Sequence, residues 1–186
     1  MCFDVRARPP IQPIAGGAHS GRDVELTATD GATFSAYAVK AARPNRAGIV
    51  ILPDIRGLHD YYAELADRFA EHDVDAVAID YFGRTAGLGR RGEGFEWQTH
   101  IPQTRADQIT RDVQAAAEYL RSDAGGSVRS LFTVGFCFGG GHSWLQAAAG
   151  IGLAGAIGFY GGPLRAVAGG VSPIDAVDQF ACPIVG

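Results

Sequence analysis

Short apolar runs that alternate with amphipathic helical patterns constrain this chain more than any other feature. Residues 47–52 (AGIVIL), 74–79 (VDAVAI) and 130–134 (SLFTV) have the continuous hydrophobicity of strands buried on both faces. Between them, apolar residues recur at spacings of three and four over about 60–72 and over 106–121, which predicts two amphipathic helices. This alternation predicts an α/β fold, with helices on both faces of a mostly parallel sheet.

The N-terminal part of the chain has a different pattern. Residues 22–28 and 32–40 alternate apolar and polar side chains on either side of Asp30-Gly31, which predicts an antiparallel hairpin with a tight turn. Residues 1–21 are rich in Pro and Gly and predict a loose arm. We expect a single domain over 22–186, because two domains would be cramped in 186 residues.

The second half of the chain continues the alternation after a long interruption. Residues 82–104 are Gly-rich and follow neither period, which predicts a functional loop such as a lid or binding loop. Residues 138–149 then predict a helix, 153–160 a strand and 183–185 the start of another. Residues 130–164 hold no Asp, Glu, Lys or Arg, but their repeated glycines favour a buried segment of a soluble core over a membrane span.

Composition excludes several classes of protein. The net charge is −4 and the 16 basic residues are scattered, so we expect no nucleic-acid binding. With 47% hydrophobic residues the chain is too apolar to be disordered. Three cysteines at unrelated spacings, Cys2, Cys137 and Cys182, predict neither a disulfide framework nor a metal site. The first residues lack the apolar region of a signal peptide, so we expect a cytoplasmic protein.

The sequence GFCFGG at 135–140 is the sharpest chemical motif. It lies between a predicted buried strand and a predicted helix, and it resembles the G-x-nucleophile-x-G elbow of α/β-hydrolases with Cys137 in place of Ser. The glycines would permit a tight turn against neighbouring backbone, and the helix N-terminus would favour a thiolate. The alternatives are a buried structural cysteine and a phosphate-binding loop, although neither G-x-G-x-x-G nor GK[ST] is present.

From about residue 48 onward, the sequence resembles the dienelactone hydrolases, a family with the α/β-hydrolase fold. The resemblance rests on LPDIRGL (52–58), VAIDYFGR (77–84), GFCFGG (135–140) and FYGG (159–162). The cysteine elbow with Phe on both sides is fairly specific to that family, and the other three motifs support it. The resemblance implies an α/β-hydrolase-type sheet with the N-terminal hairpin at its edge.

The resemblance also implies roles for individual residues. Cys137 matches the nucleophile, and the N–H groups of Phe138 and Ile55 match the two donors of the oxyanion hole. Asp54 matches a carboxylate that deprotonates the cysteine when substrate binds, although the best-known members carry Glu there. Arg84 matches an arginine that holds the substrate carboxylate, for which a planar guanidinium is suited. The alternative to a catalytic Asp54 is a residue that caps a turn or helix, and the alternative to a substrate-binding Arg84 is a solvated loop residue.

Several other residues are candidates with weaker support. His59, near the Asp54 loop, and Trp97, in the presumed lid, could line the substrate pocket. Tyr160, like Tyr81, follows a strand at the end where open α/β sheets bind ligands. We expect His142 to be a helix residue with a satisfied hydrogen bond, because it lies about 140° around the helix from Cys137. A further expectation is that Asp80 anchors a loop.

The acid and the histidine of the family's catalytic triad follow the strand that begins here at 182–185, and they have no counterpart in this sequence. Either the chain is a fragment of a longer enzyme, which we favour, or it is a natural short form without its triad. We therefore expect an incomplete α/β-hydrolase domain with weak or no turnover.

The function that the resemblance implies is hydrolysis of a carboxylate-bearing ester or lactone through a cysteine acyl-enzyme. We expect a small-molecule substrate, no metal or organic cofactor, no nucleic-acid or membrane partner, and a monomer or small homo-oligomer. One alternative is a non-catalytic or inactive fragment of the same fold, and another is a doubly wound nucleotide-binding domain.

Overall fold

A computed structural model of the chain describes residue 4 and residues 6–166 and 168–186, so Cys2 and the first residues of the N-terminal arm lie outside the described part. Its strands form one sheet. The strands are Arg22–Thr27 (β1), Thr33–Val39 (β2), Ala47–Leu52 (β3), Asp75–Ile79 (β4), Ser130–Phe136 (β5), Gly155–Phe159 (β6) and Ile184–Val185 (β7). The helices are Asp60–Glu71 (α1), Gly83–Ala86 (α2), Trp97–His100 (α3), Ala106–Arg121 (α4) and Phe138–Gln146 (α5), with 3₁₀ turns at Ile101–Gln103 and Ile174–Gln179.

The sheet has the order β1-β2-β4-β3-β5-β6-β7. The β1–β2 hairpin is antiparallel, as its Asp30-Gly31 turn predicts, and β2 pairs with β4 in the same sense. All pairs from β4 to β7 are parallel. The predicted fold, a mostly parallel sheet with an antiparallel edge, is therefore confirmed. In this order β3 and β5 are central neighbours, so their carboxyl ends meet in the middle of one sheet edge.

Helices cover both faces because β3 is apolar on both of its sides. Successive strand residues point to opposite faces, so Val50 and Leu52 join one core and Ile49 and Ile51 join the other. The apolar stripe of α4 packs into the first core, and that of α1 packs into the second. At about 25 cal/mol per Å² of apolar surface, this burial on two faces is the main favourable term in the free energy of folding.

Part of the predicted loose arm is attached to the domain. The Ile14 N–H donates to the Glu71 carboxylate over 2.9 Å, and the His19 N–H donates to the Lys40 carbonyl over 2.8 Å. Ala18 and Ala41 also form an antiparallel bridge. Backbone groups just after β2 are therefore hydrogen-bonded by the arm. The Pro and Gly content of the arm did not predict this attachment.

The predicted loop at 82–104 is also more ordered than its sequence suggests, since it contains two single-turn helices. The buried Arg91 ties it to the sheet by donating to the Asp80 carboxylate, with 2.7 Å between Nη2 and Oδ2, and to the Gly87 carbonyl. Asp80 also accepts from the backbone N–H groups of Leu58 and Phe82, so it anchors two loops, as predicted. Among the residues that the structure describes, no helix has the length and apolarity needed to cross a membrane.

Candidate active site

Cys137 lies on a strained turn between β5 and α5. Its φ of 55° and ψ of −114° are a conformation that residues other than glycine rarely adopt. A Cβ on Gly135 would collide with the Gly139 carbonyl, and one on Gly139 would collide with the carbonyls of Leu52 and Pro53. The steric role that the sequence assigns to these two glycines is therefore present in the structure.

The contact at Gly139 also places the loop after β3 directly against the elbow. Asp54 lies in this loop and is fully buried. Its carboxylate accepts from the Arg56 backbone N–H at 2.9 Å and from the Arg56 guanidinium at 2.6 Å and 3.1 Å. The Nε2 atom of His59 lies 4.0 Å from the same carboxylate. Asp54 is therefore enclosed by its own loop, with one guanidinium as its principal partner.

The charge state of Asp54 follows from these contacts. Burial alone would raise the pKa of Asp54, but the neighbouring His59 and the hydrogen-bonded Arg56 outweigh burial and hold the pKa well below its usual value. A general base works best when its pKa lies near the working pH, so Asp54 is a weak base in this arrangement. Its predicted role as the base stays a prediction, and it requires that Arg56 first release the carboxylate.

Two backbone N–H groups beside the elbow have no acceptor among the described residues. One belongs to Phe138, the first residue of α5, and the other belongs to Ile55, the residue after Asp54. The first N–H groups of a helix have no partner within the helix, which explains the first case. Both residues are half-buried. These are the two donors that the sequence predicts for an oxyanion hole.

Arg84 has other partners than a substrate. Its Nη1 atom lies 2.7 Å and 2.6 Å from the two carboxylate oxygens of Asp112, and its Nη2 atom lies 3.0 Å from both oxygens of Asp30. Asp112 is on α4 and Asp30 is in the β1–β2 turn, so Arg84 joins these elements. A substrate carboxylate would have to displace one of them, and the predicted clamp stays a prediction.

The three predicted pocket residues lie in different environments. His59 is buried with its ring 4.8 Å from that of Tyr62, and neither of its ring nitrogens has a hydrogen-bond partner among the described residues. Tyr160 is 47% exposed and follows Phe159, whose carbonyl accepts the Cys137 N–H at 3.0 Å. Trp97 is on α3 and packs against the α4 side of the core. The structure therefore brings Tyr160 next to the elbow.

His142 differs from the expectation in one respect. It is a buried residue of α5, but neither of its ring nitrogens has a hydrogen-bond partner in the described part of the chain, so the predicted hydrogen bond is wrong. The ring instead packs edge-on against Phe138 at 4.5 Å between centroids. Burial lowers the pKa of His142 to about 3, so its imidazole is neutral at physiological pH.

Sequence reasoning missed Arg56 and Tyr62 at this site, and it placed Tyr81 at the ligand-binding end of its strand without assigning it a contact. Arg56, the main partner of Asp54, could have been found from the D-x-R spacing alone, since the two side chains are only two residues apart. Tyr62 and Tyr81 contribute hydroxyl groups to the Asp54 loop. Tyr62 belongs to the apolar stripe of α1, so its sequence position indicates a core residue only. No group of three or more His, Cys, Asp or Glu within the described ranges is arranged to hold a metal ion.

Comparison with known proteins gives the family. Residues 34–186 match the model of the dienelactone hydrolase family. The chain belongs to this family. A Bradyrhizobium protein named as a probable 2-oxo-3-(5-oxofuran-2-ylidene)propanoate lactonase is 28% identical over 161 residues, which are 84% of this chain and 64% of that protein. A Methylorubrum extorquens protein, assigned by its name as a carboxymethylenebutenolidase, is 23% identical over 98% of this chain and 63% of its own length.

Solved structures agree with this family at the level of the fold. A Klebsiella pneumoniae crystal structure, assigned by its name as a dienelactone hydrolase, superposes with a TM-score of 0.72 at 22% identity and covers 89% of this chain. This chain covers 71% of that protein. This chain spans just under two thirds of the length of the two curated relatives. Its family is therefore established, whereas the activity of the whole enzyme is a proposal.

Proposed function

We propose that this chain carries the nucleophile and the oxyanion hole of a hydrolase that cleaves a carboxylate-bearing ester or lactone. The observation that carries the proposal is the backbone of Cys137, held at φ 55° between β5 and the N-terminus of α5. Strain of this kind persists where the surrounding structure maintains it, and it is concentrated at functional sites. Cys137 is partly exposed, and it directly precedes the first residue of α5.

The chemistry follows from the groups around Cys137. The thiolate attacks the carbonyl carbon of the ester, and the N–H groups of Phe138 and Ile55 hold the oxyanion that forms. Collapse of this intermediate breaks the ester C–O bond, and the leaving alkoxide takes up the proton that the Cys137 thiol gave up. The acyl group remains on Cys137 as a thioester. Water then hydrolyses the thioester, which releases the acid and restores the thiol.

A substrate carboxylate has a specific use in this site. The Arg56 side chain is 16% exposed, whereas Asp54 behind it is fully buried. A carboxylate that pairs with Arg56 would free Asp54 to accept the thiol proton, and burial would then raise the basicity of Asp54. Arg84, which the resemblance assigns to the substrate carboxylate, is the other candidate, and its guanidinium contacts the carboxylates of Asp30 and Asp112.

The inactive alternative is favoured by one observation. No side chain in residue 4, 6–166 or 168–186 makes a hydrogen bond to the Cys137 thiol, so a water that attacks the thioester has no established general base. We therefore expect residues 1–186 to be acylated once and to release the acid slowly. Membership of the dienelactone hydrolase family disfavours the nucleotide-binding alternative.

The test is a burst experiment with residues 1–186 and two matched activated esters, mono-p-nitrophenyl glutarate and p-nitrophenyl valerate. We expect release of about one equivalent of p-nitrophenolate per chain, with the adduct on the Cys137 peptide by mass spectrometry. Cys137→Ala should abolish the burst, and Cys182→Ala should retain it. The carboxylate-bearing ester should react faster. Rapid steady turnover that Cys137→Ala abolishes would contradict the expected slow release of the acid, whereas an unchanged burst in Cys137→Ala would contradict the proposal itself.

A further inference from the structure

One peptide unit beside the elbow is held at both of its polar ends by tyrosine hydroxyl groups. The Pro53 carbonyl accepts a hydrogen bond from the Tyr81 hydroxyl over 2.8 Å. The N–H of the same peptide unit, that of Asp54, donates to the Tyr62 hydroxyl over 2.9 Å. This unit immediately precedes the Ile55 N–H. Because a peptide unit is planar, hydrogen bonds at both its oxygen and its N–H restrict the orientation of the whole plane.

The two tyrosines come from different elements and are both deeply buried. Tyr62 is on α1 and is 0% exposed, and Tyr81 follows β4 and is 3% exposed. Burial raises the pKa of each hydroxyl well above its usual value, so both stay protonated. Water does not compete for these hydrogen bonds, and loss of either hydroxyl would leave a buried backbone group without its partner.

The same two rings also pack against the elbow. The Tyr62 ring lies 5.7 Å from that of Phe136, and the Tyr81 ring lies 5.3 Å from that of Phe138, between centroids. Phe136 and Phe138 are the two residues that flank Cys137. Each tyrosine thus contacts one side of the elbow with its ring and one end of the Pro53–Asp54 peptide with its hydroxyl.

We propose that Tyr62 and Tyr81 are positioning residues that hold the Ile55 N–H and the Phe138 N–H in a fixed orientation relative to each other. The two donors come from separate loops, and an oxyanion hole requires both to point at one oxygen before reaction. Each tyrosine connects these loops, because its ring packs against the elbow and its hydroxyl hydrogen-bonds the loop after β3. This inference rests on the proposed function, because it assigns the alignment of that site's oxyanion donors.

The test separates acylation from alkylation at the same thiol. p-Nitrophenyl acetate acylates Cys137 through an oxyanion, whereas iodoacetamide alkylates it by direct displacement with no oxyanion. Both reactions use the thiolate, so their rate ratio reports the oxyanion hole independently of thiol ionisation and exposure. The measurement uses residues 1–186 with Cys2→Ser and Cys182→Ser, which leaves Cys137 as the reacting thiol.

We expect Tyr62→Phe and Tyr81→Phe each to lower this ratio by at least about tenfold, since complete loss of one oxyanion donor costs about 100- to 1000-fold. The matched control is Tyr37→Phe, which removes a hydroxyl that donates to the Asp67 carboxylate on α1 over 2.9 Å. Its ratio should be unchanged. The urea midpoints of all variants show which are folded, and each tyrosine is tested separately.

The possible failures are distinguishable. A parent chain that is alkylated normally at Cys137 but acylated no faster than free cysteine would overturn the proposed function, and the alignment role with it. A parent that is acylated rapidly, with the ratio unchanged in a folded Tyr62→Phe or Tyr81→Phe chain, would overturn the alignment role alone. Equal losses in Tyr37→Phe would also overturn it, because the effect would then be one of general stability.

Discussion

Replacement of Arg56 by Met tests the central electrostatic feature of the site. The substitution keeps an apolar stem of similar length and removes the guanidinium that contacts both oxygens of Asp54. The Asp54 side chain is 0% exposed and that of Arg56 is 16% exposed, so the remaining carboxylate would be an uncompensated buried charge.

The size of the effect follows from this burial. Removing one partner of a buried ion pair typically costs about 3–5 kcal/mol of stability. The Arg56 backbone N–H still donates to Asp54 in the variant, so we expect the lower end, about 3 kcal/mol at pH 7. An exposed ion pair would contribute only about 0–1 kcal/mol, so the measured loss distinguishes a buried Arg56–Asp54 pair from an exposed one.

The pH dependence has a defined sign. In the parent chain the pKa of Asp54 is lowered, so its contribution to stability is present above the unfolded pKa of about 4 and is lost as the pH falls through the folded pKa. In Arg56→Met burial raises that pKa, and the folded chain can bind a proton. The difference in stability between parent and variant should therefore be largest at neutral pH and should shrink towards pH 4.

Urea unfolding of both chains at pH 7 and near pH 4 measures this difference. The double variant Asp54→Asn with Arg56→Met has no buried charge to compensate, and it should recover most of the stability lost in Arg56→Met. The reasoning fails if the loss at pH 7 is below about 1 kcal/mol, the range of an exposed pair, or if it is the same at both pH values.

Two further substitutions test the packing and the buried charges. Gly139→Ala places a methyl group against the Leu52 carbonyl and should lower stability by about 1–3 kcal/mol, measured by urea unfolding. Gly92→Ala, with open space around it, should stay within about 0.5 kcal/mol, and equal effects of the two substitutions would argue against the close approach at Gly139. Burial raises the pKa of Asp112 to about 7, so parent stability should fall between about pH 4 and 7 as this proton is lost. The stability of Asp112→Asn relative to the parent should then rise over that window, and a flat difference would contradict the shift.

The main elements could be predicted because local pattern and tertiary environment agree. Ala47–Leu52 is a strand with the predicted bounds, since a central strand is buried on both faces and its sequence is apolar throughout. Ala106–Arg121 likewise has its predicted bounds, because its apolar stripe meets the sheet along its whole length. The elbow was predictable because its glycines meet a steric demand that few other sequences satisfy.

The contacts that define the site could not be predicted in this way. The partners of Arg84 are Asp30 and Asp112, which lie 54 and 28 residues away and meet it only once the hairpin and α4 are packed. The Tyr62 hydroxyl accepts a hydrogen bond from the Asp54 N–H, eight residues earlier, while the sequence position of Tyr62 fits an ordinary core residue. Pairings of this kind depend on the relative placement of elements, which periodicity does not encode.

The central position of β3 and β5 has a consequence for hydrogen exchange. Each strand is paired on both sides, so their amides should open only in the largest unfolding events. In the described part of the chain, β7 has two exposed residues and pairs with β6. Both loops of the site begin where these protected strands end. The geometry around Cys137 should therefore persist through the frequent partial openings at the sheet edges and be lost only with the domain as a whole.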